Sequence, residues 1–123
     1  MGITQITDKK DFIRHYDWIK ECGFTDISPE NVLANCLLGK YWGFVGELDG
    51  KDVGIAIGYT KGTMAYIVGL WGKNNLSKFL DSFIQLLKDN GYKTIRASSD
   101  HPEKAYARLM GMEKLWSIYE REL

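Results

Sequence analysis

The spacing of apolar residues in the first third of the chain predicts one short strand and two helices. Residues 2–7 read as a strand. Apolar side chains then recur at helical intervals between Asp8, a residue that suits a helix N-cap, and Gly23, which predicts one continuous helix there. A second helix is expected to begin at Ser28-Pro29 and to end at Gly39, because Ser caps helices and Pro suits the first turn.

The middle of the chain changes to the period of a β-meander. Residues 41–48 predict a strand, and Asp49-Gly50 predicts a two-residue type I′ turn, which needs two positive φ angles. In the next strand bulky residues alternate with Gly54, Ala56 and Gly58, so we expect a neighbouring group to lie close against this bare face. A second turn is predicted at Lys61-Gly62, before a strand over residues 63–71 that is apolar on both faces, as is typical of a central strand.

The last third contains the clearest helix of the chain. Its apolar positions between Leu76 and Leu87 follow the helical rule without a miss, and Asn90-Gly91 is a good C-terminal cap. A strand is expected over residues 92–98, then a helix from Pro102 through Leu109, and a final strand over residues 115–119.

Composition and charge narrow the class of protein. The chain has 123 residues with 45% hydrophobic content, and its sixteen basic and sixteen acidic residues cancel. We therefore expect a single domain over residues 1–123, with no nucleic-acid or membrane partner. No signal peptide is recognised, which favours a cytoplasmic location, and Cys22 and Cys36 are expected to be free, buried thiols. The two His and two Cys are scattered without ligand spacing, so no metal site is expected.

The predicted order β-α-α-β-β-β-α-β-α-β, with these element lengths, resembles the GNAT superfamily of acyl-CoA N-acyltransferases. The similarity is best over residues 41–119, where the strand that follows the long helix and the Leu109-Met110-Gly111-Met112 ending of the next helix match family features. The resemblance implies an α+β (α/β) fold with a mixed central sheet. Within the superfamily, the turn Trp71-Gly72-Lys73 before an amphipathic helix is similar to a group of phage internal virion proteins.

The resemblance also implies an acetyl-CoA site where the third meander strand meets the long helix. Strand backbone would pair with the pantetheine amides, and the helix N-terminus would meet the pyrophosphate. The residues placed there are Val68, Gly69, Leu70, Gly72, Lys73, Asn74, Asn75, Leu76 and Ser77. This sequence departs from the family loop, because Gly72 stands at its basic or amide position and Asn75 at a glycine. An Asn-rich helix cap without a ligand is the alternative interpretation.

Acyl transfer to an amine needs a base for the ammonium and an acid for the leaving thiolate. Residues 63–71 contain no acid, although relatives often place a Glu on this strand. The position of the family's tyrosine acid is Ala107, so Tyr106 is the candidate acid if the helix register differs, against a packing role. Ser98 and Ser99 match an acyl-pocket position of the family, with helix capping as the alternative. His15 is expected at the surface.

Two functions of different class follow. The first is transfer of an acetyl group to an amine of a small molecule or a protein. The second is a GNAT-shaped binding or virion-associated protein that has lost acyl-CoA, in which Trp71 or Phe79 plugs the groove and the chain self-associates. Both depend on one expectation, namely that the strands over residues 63–71 and 92–98 separate around Val68 to Ser77.

Overall fold

A computed structural model describes residues 1–22, 27–73, 76–98, 113–115 and 118–123 of the chain. The N-terminal half begins with strand β1 and three helices. Their bounds are β1 Gly2–Gln5, α1 Lys9–Arg14, α2 Tyr16–Glu21 and α3 Pro29–Leu37. The predicted first helix is therefore wrong in one respect, because it breaks into α1 and α2 at His15, whose φ and ψ of −99° and 16° leave the helical region.

The second half supplies the rest of the sheet and the long helix. The bounds are β2 Trp42–Leu48, β3 Lys51–Lys61, β4 Met64–Gly72, α4 Leu76–Asp89, β5 Thr94–Ser98, β6 Glu113–Leu115 and β7 Ile118–Glu122. The single strand expected over residues 115–119 is wrong, since two antiparallel strands, β6 and β7, cover this region. The helix expected from Pro102 to Leu109 lies outside the described residues.

All seven strands form one sheet in the order β1-β2-β3-β4-β5-β7-β6. Strands β1 to β4 are antiparallel neighbours, whereas β5 lies parallel to β4, as the crossover through α4 requires. The mixed α+β fold predicted from the sequence is thus confirmed. In the described part of the chain, no helix is both long and apolar enough to cross a lipid bilayer.

Both predicted hairpin turns are present, one of them shifted by a residue. Asp49 and Gly50 have φ angles of 54° and 77°, as a type I′ turn needs. The second turn consists of Gly62 and Thr63 rather than Lys61 and Gly62, because Lys61 is already paired with Met64. Gly62 supplies its positive φ of 61°.

Two apolar layers cover opposite faces of the sheet. Helix α4 covers one face with Phe79, Leu80, Phe83 and Leu87, none of which is accessible to solvent. Helices α1 to α3 cover the other face through Phe12, Ile19, Val32 and Cys36. The bare face of β3 is explained by this arrangement, because a side chain on Gly54 would meet the Phe79 ring at 3.2 Å.

Candidate functional site

Strands β4 and β5 pair over only part of their length. The paired residues run from Met64↔Thr94 to Ile67↔Ala97. Strand β4 continues beyond Ile67 to Gly72, and in the described part of the chain residues 69–72 pair with β3 alone. On the β5 side their backbone groups are thus paired with no described residue, at the point where the sequence predicted a gap.

A β-bulge in β4 coincides with this point. Gly58 pairs with Ile67 and Ile57 pairs with Gly69, so Val68 is an extra residue on β4. Ile67, before the bulge, and Leu70, after it, both face the layer of α4. Val68 and Trp71 face α1 to α3 instead. The bulge thus reverses the alternation of the strand where its pairing with β5 ends. We call the stretch Val68–Gly72, together with the start of α4, the β4 notch.

The end of β4 lies very close to the beginning of α4. A side-chain carbon on Gly72 would come within 2.9 Å of the Leu76 Cδ1 atom and 3.3 Å of its Cα, so only glycine fits without displacement. Just after it, the backbone N–H of Lys73 donates to the Val53 carbonyl at 2.7 Å and ties the loop to β3. The end of β4 is therefore bonded to β3 and lies close to the first residue of α4.

The charge at this helix end suits an anion. The first turn of α4 contains no acidic residue, while the Lys73 and Lys78 side chains are exposed beside it. The free N–H groups of a first helical turn and the positive end of the helix dipole attract phosphate groups. The residues present therefore fit a pyrophosphate, although Gly72 replaces the family's basic or amide side chain.

The predicted site residues are only partly described. Gly69 is buried, Val68, Leu70, Gly72 and Leu76 are half-buried, and Lys73 and Ser77 are exposed. Ser98 is the last residue of β5. Asn74, Asn75, Ser99 and Tyr106 lie outside the described residues, so their proposed roles stay predictions.

The fold of this chain is similar to that of solved acetyltransferase structures. One is the ribosomal-protein-S18-alanine N-acetyltransferase from Escherichia coli, with a TM-score of 0.75 and 14% identity over 98% of this chain and 92% of that one. This is the GNAT fold. An IAA acetyltransferase from Bacillus cereus has a TM-score of 0.73 at 12% identity and covers 99% of both chains. A Bacillus subtilis acetyltransferase in complex with CoA reaches 0.70 at 14% identity, over 98% of this chain and 97% of that one.

Sequence comparison adds no closer relative to these fold matches. No protein-family model matches the chain, and no curated protein matches it either. The TM-scores of these matches show the fold alone, because the sequence identities are only 12–14%.

Trp71 and Phe79, which the second hypothesis placed in the groove, occupy different layers of the GNAT fold. The Trp71 ring packs on Trp18 of α2 with 4.8 Å between ring centroids. Phe79 lies fully buried against Gly46 and Gly54, on β2 and β3. Trp71 therefore connects the end of β4 to α2, and Phe79 belongs to the core under α4.

A row of aromatic rings crosses the sheet just below the notch. Tyr41, just before β2, stacks on Tyr59 of β3, which stacks on Tyr66 of β4, with centroid separations of 6.0 Å and 4.9 Å. Burial, followed by the neighbouring Tyr66 and Tyr41, raises the pKa of the Tyr59 hydroxyl. The sequence did not predict this row, because the Tyr41–Tyr59 contact depends on a bulge in β3 and the Tyr59–Tyr66 pair on a turn one residue later than predicted.

An ion pair between β5 and β7 lies next to the tyrosine row. Arg96 is the β5 partner of Tyr66, and its Nε donates to Glu120 Oε1 on β7 at 2.6 Å. Both side chains are partly exposed. The β5 side of the notch therefore has a cation–carboxylate pair beside the tyrosine row.

His15 is buried, contrary to the expectation that it lies at the surface, with only 7% of its area exposed. Its Nδ1 lies 2.7 Å from the Asp11 carbonyl, and its Nε2 lies 3.0 Å from Asp52 Oδ2. At the interruption between α1 and α2, the His15 ring thus connects α1 to β3 through these two contacts. Asp52, 37 positions further along the chain, is the partner that helical spacing alone could not reveal.

The cysteines are free and buried as predicted. Burial raises the pKa of both thiols to about 12, with the nearby Cys36 and Glu21 adding to the effect at Cys22. Neither thiol is thus a nucleophile at neutral pH. Among the described residues, no three His, Cys, Asp or Glu side chains come together as metal ligands.

Proposed function

We propose that this protein binds an acyl-CoA at the β4 notch and transfers the acyl group to an amine. The observation that carries the proposal is that, among the described residues, β4–β5 pairing ends at Ile67, just before the bulge at Val68. Strand backbone without a neighbouring strand offers N–H and C=O groups that match the amides of a pantetheine arm. The bound thioester would supply the activated acyl group.

The residues of this chain would hold the cofactor in two parts. Backbone of Val68–Leu70 would pair with the pantetheine arm, while the first turn of α4, with Lys73 beside it, would bind the pyrophosphate. Gly72 lets the strand end and the helix start approach closely enough for one ligand to contact both. The similar Bacillus subtilis structure contains CoA, which supports this assignment for a chain with the same fold.

The acceptor would approach from the α1–α3 face. Val68 and the tyrosine row face that side, so an amine reaching the thioester would pass partly buried hydroxyl groups. The Tyr59 hydroxyl, whose pKa burial raises above the ordinary value of 10.0, is protonated at neutral pH like other tyrosines and can donate a hydrogen bond. Tyr106, Ser98 and Ser99 complete the proposed set as candidate acid and acyl-pocket residues.

The test is a titration of ¹⁵N-labelled protein with acetyl-CoA, followed by amide chemical shifts. We expect shifts at Val68–Lys73 and in the first turn of α4. The charge reversal Lys73→Glu should weaken binding by about tenfold, the effect of losing roughly 1.4 kcal/mol. Lys88→Glu, at the opposite end of the same helix, is the control and should leave the affinity unchanged.

A second measurement separates binding from catalysis. Release of free CoA thiol is followed in the presence of a polyamine or of a peptide with a free α-amine. Binding without thiol release would favour the alternative, a GNAT-shaped binding or virion-associated protein. Unchanged amide positions throughout the notch at millimolar acetyl-CoA would contradict the proposal itself.

A further inference from the structure

A second cleft, separate from the notch, lies at the opposite end of β4. It has a volume of about 520 Å³, within the range of small-molecule sites. The turn residues Gly62 and Thr63 and the helix-end residue Gly91 line it. The other lining residues are Gln5, Trp42, Phe44, Thr60, Leu86, Asn90 and Tyr92. Because the notch begins only after Ile67, a ligand here would leave the acyl-CoA site free.

The hydrogen bonds inside this cleft leave one hydroxyl proton without a partner. Trp42 Nε1 donates to Thr60 Oγ1 at 3.0 Å, and that oxygen lies 2.6 Å from the Tyr92 hydroxyl oxygen. Only one hydrogen can occupy the contact between the two hydroxyl groups. Whichever group donates it, the hydrogen of the other has no acceptor among the described residues, and both groups line the cleft.

Two amide side chains add further donors and acceptors. Asn90 Nδ2 donates to the Leu86 carbonyl at 2.7 Å, which leaves Asn90 Oδ1 as an acceptor. The Gln5 side chain makes no hydrogen bond to any described residue. The cleft therefore has an unused donor from the hydroxyl pair and both kinds of group from the amides.

The described residues that line the cleft include no charged side chain, although 26% of the chain is charged. A charged ligand would lose water here without gaining a counter-ion. The aromatic rings of Trp42, Phe44 and Tyr92 offer apolar surface instead. The walls thus favour a neutral molecule with one apolar face and hydrogen-bonding groups at its edge.

We infer that this cleft is a binding site for a neutral sugar. A pyranose ring has a C–H face that packs on aromatic side chains, and its hydroxyl groups both donate and accept hydrogen bonds. The Thr60–Tyr92 pair would donate to one sugar oxygen, while the amides of Gln5 and Asn90 would bind adjacent hydroxyl groups. The site does not depend on acyl-CoA.

The experiment compares three sugars that differ in charge. N-acetylglucosamine is the neutral probe, glucosamine the cationic one and glucuronate the anionic one. At about 10 mM, enough to saturate a site with a millimolar dissociation constant, N-acetylglucosamine should shift the Trp42 indole signal and the amides of Gln5, Thr60 and Tyr92. The two charged sugars should bind at least about tenfold more weakly.

An isosteric variant gives the decisive comparison. Gln5→Glu adds one negative charge to the cleft without changing its volume, so its affinity for glucosamine should rise about tenfold. The control is Gln85→Glu, the same change on the exposed side of α4, which should have no effect. The inference is overturned if N-acetylglucosamine shifts none of these signals, or if both variants respond alike to glucosamine.

Discussion

Glycine residues of β2 and β3 make room for a single phenylalanine. The Phe79 ring packs where side chains on Gly46 and Gly54 would lie, and none of its surface is accessible. The alternation of bulky and bare positions in β3 predicted a close neighbour. It could not identify Phe79, because contact between a strand and a helix depends on how the helix crosses the sheet.

We expect Gly46→Ala to destabilise the protein by about 1–3 kcal/mol, because the new methyl group overlaps a ring that cannot move in a filled core. The urea midpoint measures this change. Gly2→Ala is the matched control, since nothing lies within 4 Å of that position. Equal midpoints for both variants would contradict the packing of Phe79 described above.

The two cysteines give a pH-dependent prediction. Their native pKa is about 12, against an ordinary value of 9.0 for an exposed thiol. Between these values the native state binds more protons than the unfolded state, so the stability they contribute is complete below pH 9 and falls as the pH rises above it.

Urea unfolding at pH 8 and pH 10 tests this sign. The wild type should lose more stability over that interval than the Cys22→Ala/Cys36→Ala variant, whose remaining loss measures the other titrating groups. A disulfide-exchange reagent should also react slowly with the native thiols at pH 8. An equal loss in both proteins would show that the thiols are not protected by burial.

At the scale of elements, the sequence predicted what local pattern determines and missed what distant contacts determine. Helix α4 was predicted almost to the residue, because its stripe and its Asn90-Gly91 ending are local signals. The break between α1 and α2 was missed, because the apolar residues on both sides of His15 follow helical spacing. The partner of His15, Asp52, lies far along the chain on β3.

The stacking of the tyrosine row was not predicted from the sequence for a related reason. Counting from the turn at Asp49-Gly50 pairs Tyr41 with Gly58. The extra residue Val53 shifts that register by one and brings Tyr59 opposite instead. A bulge leaves almost no mark on composition, so cross-strand neighbours beyond it cannot be counted from the turns.

The contact between His15 and Asp52 should hold the α1–α2 junction onto β3. We expect Asp52→Asn to lower the free energy of unfolding by about 1–3 kcal/mol, since a largely buried imidazole loses a charged acceptor. Asp17→Asn is the control, because Asp17 is 92% exposed in its pair with Lys20. Losses of the same size in the two variants would mean that the buried contact contributes no more than a surface pair.

For the molecule as a whole, the junction of β4 with α4 connects stability to ligand binding. A ligand that binds only the native state raises its stability, by about 2.7 kcal/mol when its concentration is a hundred times Kd. We expect acetyl-CoA to raise the melting temperature of the wild type and to leave that of Gly72→Val unchanged, because valine would displace Leu76 and the helix start.

Gly62→Ala is a useful companion to that variant. It changes a glycine at the other end of β4, where the positive φ of 61° makes alanine costly but no notch residue is touched. It should lower the melting temperature yet keep the increase produced by acetyl-CoA. Retention of that increase by Gly72→Val would rule out the close approach of strand and helix as the basis of binding.

The bulge at Val68 has a consequence for how this chain can change in length. Because one additional residue sends Trp71 toward α2 and Leu70 toward α4, removing a residue there would exchange the layers that the two side chains enter. A tryptophan would then be driven into the space that a leucine fills. Substitutions at Val68 are therefore expected to be tolerated far better than its deletion.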